Sequence, residues 1–221
     1  MIELLLPSHG RDVAVGKILC IGRNYAKHAA EMQSEVPEEP IVFLKPSTAL
    51  VGHGGTVILP PQSQDVHHEV ELVAVIGRGG KNIPEEKALE HVDAYAVGLD
   101  MTARDLQAEA KRKGQPWTVA KGFDTFAPLG PLVDARRVRD PQNLEIRLTV
   151  NGEVRQQGHT RDMVFSVARL IAYCSRIFTL LPGNLLYTGT PDGVGPVRDG
   201  DVLEAQITGF PVLRVKVRRN G

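Results

Sequence analysis

Apolar residues along this chain fall into short runs, with few sustained helical stripes. Lys17–Gly22, Ile41–Pro46, Thr56–Leu59, Glu69–Gly77, Ala94–Leu99 and Leu185–Thr188 are β-rich stretches bounded by glycine, proline or acidic residues, the pattern of buried strands. Leu144–Val150 alternates apolar and polar, and Asn151-Gly152 supplies a two-residue hairpin turn into Glu153–Gln156. Asp201–Arg219 reads as two closing strands. Helical patterns are fewer. Arg23–Met32 is alanine-rich, with Asn24 as its expected N-cap. Asn82-Ile83-Pro84-Glu85 opens a helix to about Val92, Thr102–Lys113 is stopped by Gly114, and Asp162–Phe178 is amphipathic. Residues 1–16 are a loosely patterned lead-in, leaving 17–221 as one strand-rich domain with inserted helices, an α+β class.

Several places in this pattern carry chemistry. Glu69 and Glu71 are two apart at the start of an apolar strand, so they share a face. Two buried like charges call for a positive partner, and a divalent cation is the simplest; the alternative is a solvated strand start. Asp100 stands between a strand and a helix, where it either caps that helix or joins the acidic pair. Arg104, Gln107 and Lys111 follow at helical spacing, a suitable flank for an anionic ligand. His28 and Glu31, three apart on a helix, are close enough to bond, as a surface pair or as a base with its orienting carboxylate. Lys121 lies in an apolar-aromatic stretch, either snorkelling to solvent or buried for function. The acidic, proline-broken Ser34–Pro40 could let the helix before it act as a lid. The glycine-rich loop Gly189–Pro196 lacks phosphate-loop spacing and its lysine, which excludes a nucleotide reading, although Thr190 there could hold a small carboxylate.

Composition narrows the class. With 221 residues and 42% hydrophobic content the chain can bury a sizeable core. Balanced charge, 26 basic against 26 acidic residues, argues against nucleic acid or an anionic membrane as partner. Cys20 and Cys174 sit in apolar segments without metal-type spacing and are expected to be reduced thiols. No long apolar span or signal-like start is evident, so a cytoplasmic enzyme is expected.

The motifs Gly22-Arg23-Asn24-Tyr25 with His28 and Glu31, Phe43-Leu44-Lys45-Pro46, His68-Glu69-Val70-Glu71-Leu72, Gly98–Asp105, Ala120-Lys121 and Tyr187–Pro191 together resemble the fumarylacetoacetate hydrolase superfamily. Among its members they look most like the small acylpyruvase and oxaloacetate decarboxylase branch. The resemblance implies a β-rich fold built on a rolled mixed sheet with a lid helix, commonly a homodimer, with one divalent metal per subunit. Carried over, Glu69, Glu71 and Asp100 would be the metal ligands, and three hard oxygens suit Mg²⁺ or Mn²⁺ rather than zinc. His28 and Glu31 would activate water, and Lys121 would steady negative charge. Arg23, Arg104 and Gln107 would contact a small keto-acid substrate, and Thr190 its carboxylate. The implied reaction is hydrolysis of the C–C bond of an acylpyruvate. Oxaloacetate decarboxylation and oxaloacetate tautomerisation are alternatives on the same site, and a non-catalytic metal-binding β-domain is the rival outside enzymology.

Overall fold

A computed structural model describes residues 2–219. The fold is β-rich α+β and is organised by one curled mixed sheet. Its strands run in the order Ile41–Lys45, Ile18–Gly22, Leu185–Tyr187, Val70–Ile76, Val92–Leu99, Ala127–Leu129 and Leu50–Gly52, with Val133–Asp134 also paired to Val92–Leu99. Most neighbours are antiparallel, while Leu185–Tyr187 runs parallel to Ile18–Gly22 and Ala127–Leu129 parallel to Leu50–Gly52. A second sheet holds Glu153–His159, Glu145–Val150, Val202–Ile207, Leu213–Arg219 and Thr56–Leu59.

Val70–Ile76 and Val92–Leu99 are buried along their whole length. Leu72, Ala74 and Ile76 pack with Ile146, Leu148 and Leu203 of the second sheet, whereas Val73 and Val75 join Cys20, Leu185 and Tyr187 on the opposite face. A central strand covered on both sides has no solvent face to mark, so its sequence reads as an unbroken apolar run. Both cysteines are free and buried, as their context implies.

Several expected boundaries move. The lead-in contains an antiparallel hairpin, Glu3–Leu6 with Arg11–Ala14, and Leu6 and Val15 enter the core. Asn24 does not cap the first helix, which spans only Ala26–Glu31. Its amide donates to the carbonyls of Phe165 and Thr188 and accepts from Phe165 N–H. That clamp also holds Val164 and Phe165 out of helix, so the predicted 162–178 helix begins at Val167 behind a Ser166 cap. The 82–92 helix is a 3₁₀ helix over Glu85–His91, because the amides of Asn82 and Ile83 are tied to Ser175. Thr102–Ala103 pairs with Val66–His67, so the next helix is Arg104–Lys113, ended by Gly114 at φ 64°. No helix among the described residues is long and apolar enough to cross a membrane.

Candidate active site

The acidic residues converge where the two central strands end. Glu69 fills the gap between strands Val66–His68 and Val70–Ile76, Glu71 lies in the second of these, and Asp100 follows Val92–Leu99 directly. Antiparallel register sets Val70 opposite Leu99 and Glu71 opposite Gly98, and Asp100 N–H donates to the Glu69 carbonyl at 2.8 Å. Gly98 is required there: a Cβ would come within 2.7 Å of the Tyr187 ring. One carboxylate oxygen from each of Glu69, Glu71 and Asp100 lies within 4.8 Å of the other two. Glu69 is 5% exposed, and Glu71 and Asp100 1% each, which removes the solvated-strand alternative. Asp100 caps no helix; the residue before Arg104 is Ala103, without a side-chain cap bond.

Cations surround the cluster unevenly. Lys121 does not snorkel: it is 2% exposed, and its Nζ donates to Glu69 Oε2 at 2.8 Å and Asp100 Oδ2 at 2.6 Å. Arg104 Nη2 and the Thr102 hydroxyl both donate to Glu69 Oε1, and Arg104 Nη1 donates to Gln107 Oε1. Glu71 has no cationic partner within 4 Å among the described residues, and its one donor is Gly189 N–H at 2.7 Å. Gly189 sits at φ 97° and lacks room for a side chain beside Asn24. Burial works against ionisation of Glu69, yet Lys121 and Arg104 outweigh it and hold that carboxyl well below the usual range. For Glu71, burial and then the charges of Asp100 and Glu69 all push the pKa well up.

Lys45 is the contributor that strand reading passed over. It closes a strand, is 3% exposed, and lies 2.7 Å from Asp100 Oδ1. Its ammonium donates to the carbonyls of Met101, Lys121 and Phe126, so the contact with Asp100 is electrostatic and leaves Oδ1 without a directed donor. An undonated buried oxygen beside a buried carboxylate that lacks a cation is a donor set suited to a hard divalent ion. A lone lysine ending an apolar run was the signal available in the sequence.

The other expected residues line the same narrow cavity, about 410 Å³ with its open mouth: His28, Arg23, Arg104, Gln107 and Thr190. His28 Nδ1 is 3.2 Å from Glu31 Oε2, while Glu31 Oε1 accepts from Gly193 N–H at 3.0 Å, pinning the helix to the glycine-rich loop. His67 is bonded to Asp65 and takes no part in the carboxylate cluster. Gln156, a buried residue of the second sheet, was also missed. Its Oε1 accepts from Val70 N–H, and its Nε2 donates to the Pro191 carbonyl and to Thr190 Oγ1 at 2.8 Å. Since Val70 N can only donate and Pro191 O only accept, the amide orientation is fixed. Thr190 Oγ1 therefore accepts from Gln156, and its own proton is free for another acceptor.

Residues 17–218 match the fumarylacetoacetate (FAA) hydrolase C-terminal family. The chain belongs to that family. Within it, the chain is 51% identical to the mitochondrial oxaloacetate tautomerase FAHD1 of Arabidopsis thaliana, over 92% of this chain and 91% of the relative. Against the human protein of the same name it is 46% identical, with 91% of each covered. Among solved family structures, fumarylpyruvate hydrolase from Pseudomonas aeruginosa, in complex with Mn²⁺ and pyruvate, superposes with a TM-score of 0.93. The two share 43% identity, and the match covers 99% of this chain and 96% of that one. A 2-hydroxyhepta-2,4-diene-1,7-dioate isomerase from Mycobacterium marinum has a TM-score of 0.83 at 41% identity, covering 96% and 79%.

Proposed function

We propose that this protein is a divalent-metal-dependent enzyme that interconverts the keto and enol forms of oxaloacetate, with Glu69, Glu71 and Asp100 as the metal ligands. The observation that carries this reading is the buried carboxylate cluster bridged by Lys121 and lined, across one cavity, by the His28–Glu31 pair. When bound there, Mg²⁺ or Mn²⁺ supplies Lewis acidity that favours the enolate of a 2-oxo acid. The protein residues do the rest. His28 Nδ1 faces Glu31, so Nε2 is the ring atom that takes the proton from C3 and hands it back to oxygen. Glu31 holds that tautomer and stabilises the ring once charged. Lys121 steadies the charge that develops on the substrate oxygen. Arg104, Gln107 and the free Thr190 proton bind the carboxylate next to the keto group. Identities of 46–51% to named oxaloacetate tautomerases support this order of readings.

Hydrolysis of acylpyruvates is the second reading. It uses the same residues, with His28 taking a proton from water instead of carbon, and the Pseudomonas neighbour favours it. The deciding experiment follows oxaloacetate enol absorbance and acetylpyruvate cleavage in parallel, with Mg²⁺, Mn²⁺ or chelator. We expect metal-dependent tautomerisation faster than cleavage. His28→Ala should lower the leading activity by about 100-fold or more and abolish cleavage while sparing some oxaloacetate decarboxylation. Full activity after verified metal removal would refute the metal role, and His28→Ala with unchanged rates would refute the dyad. A homodimer is the expected assembly, open to test by sedimentation.

A further inference from the structure

Five cations stand in or beside a cavity that holds three carboxylates. Lys45, Lys121 and Arg104 are accounted for by Asp100 and Glu69. Arg23 and Lys111 also line the cavity, and neither has an acidic partner within 4 Å or a side-chain hydrogen bond among the described residues. Lys111 sits over a ring of the cavity wall, and the backbone just before Arg23 packs on the same ring. Lys111 Nζ lies 5.4 Å from the centre of Trp117, and Gly22, next to Arg23, packs so closely on Trp117 that a Cβ would sit 3.2 Å from it. Arg23 itself is held at φ 58°, a backbone state that a non-glycine residue adopts only where its surroundings impose it. Trp117 in turn packs edge-on against Phe43, with centroids 5.6 Å apart, and Phe43 carries Lys121 at 4.9 Å from its ring. The wall Phe43–Trp117 thus has one lysine at its inner end, against the carboxylate cluster, and another at its outer end, exposed at the mouth.

We infer that Lys111, assisted by Arg23, is the specificity-determining contact for the second carboxylate of the substrate, the group that sets oxaloacetate apart from monocarboxylic 2-oxo acids. The inner end, with Lys121, Arg104 and Thr190, takes the keto oxygen that undergoes chemistry and the carboxylate next to it. The outer end offers two cations with no counter-ion within 4 Å among the described residues. Partial desolvation of the Lys111 stem and head at the mouth, with the neighbouring Arg23 and Arg104 charges, lowers the pKa of Lys111. A divalent cation on the inner carboxylates adds to the positive excess. An uncharged acyl tail would leave that excess unbalanced, whereas an anionic tail neutralises it. This inference rests on the proposed 2-oxo acid chemistry for its inner end but is testable without turnover.

The test is calorimetric binding to the Mg²⁺-loaded protein of oxaloacetate and of 2-oxobutanoate, which has a methyl group where oxaloacetate carries its second carboxylate. Wild type should bind oxaloacetate about tenfold or more tightly. Lys111→Met should cut that preference about tenfold, Arg23→Met should reduce it, and Lys111→Arg should retain it. Lys111 is exposed on its helix, so folding of its variants is not at issue. Equal binding of the two acids by wild type, or a preference untouched in Lys111→Met, overturns the subsite. Tight, Lys111-dependent binding of oxaloacetate with no tautomerisation or cleavage would overturn the proposed reaction while leaving the subsite standing.

Discussion

Lys45 Nζ lies 2.7 Å from Asp100 Oδ1 with both side chains buried, and the same ammonium holds the carbonyl of Lys121. One lysine therefore fixes an acidic member of the cluster and the turn that carries its cationic bridge. Lys45→Met should destabilise the protein by about 3 kcal/mol, since it removes one of the two buried cations beside Asp100, leaving Lys121, and takes the ammonium donor from the buried Met101 and Lys121 carbonyls. It should also weaken Mg²⁺ binding. Urea denaturation and calorimetry check the two effects separately.

Glu71 presents the opposite case. Among the described residues it has no cation within 4 Å, and its charge is opposed first by burial and then by Asp100 and Glu69. Glu71→Gln should raise the stability of the metal-free protein at pH 8 by roughly 1 kcal/mol, or about 3 °C in Tm. The same change should cost more than about 100-fold in metal affinity. A metal-free variant less stable than wild type would contradict the repulsion argument.

The Gln156–Thr190 bond makes a prediction about coupling. Thr190→Val removes the free hydroxyl proton and should raise KM for oxaloacetate about tenfold. Gln156→Glu replaces the amide donor with an acceptor, turns that proton inward and should give a similar loss. Combined, the two changes should cost little more than either alone. Additive losses would mean that Gln156 acts on the fold and not through Thr190.

Acid sensitivity should trace in part to Asp105. Burial opposes its ionisation, but donors from Ser63 Oγ at 2.6 Å, Gln64 N and Leu106 N outweigh burial and lower its pKa. A carboxyl whose folded pKa lies below its unfolded value contributes stability that is present above the unfolded pKa and lost as pH falls through the folded one. Asp105→Asn should therefore lower stability modestly near neutrality, solvent screening keeping the effect small, with the difference shrinking below about pH 4. Thermal melts across that range read it directly.

What could be seen in the chain beforehand depended on how local the cause was. The apolar runs announced the central strands, and Asn151-Gly152 its hairpin, with φ of 52° and 83°. Glu69, Glu71 and Asp100 were visible as acids at strand ends, and the structure brings them together. Asn24 misled because a side chain suited to capping is used instead by segments more than 100 residues away. Lys45 and Gln156 stayed hidden for a related reason. A lysine ending a strand and a glutamine beyond a hairpin look like surface residues until tertiary pairing buries them.

The pairing of Glu71 with Gly98 has a final consequence. Shifting either strand by one position would send Leu72 into the acidic cluster and Glu71 into the inter-sheet layer. Hydrophobic packing and chemical alignment are thus enforced by a single frame: any alternative threading that spoiled one would spoil the other. Mutational drift in the surrounding aliphatic residues is accordingly policed by folding itself, and the reactive geometry is inherited at no separate cost.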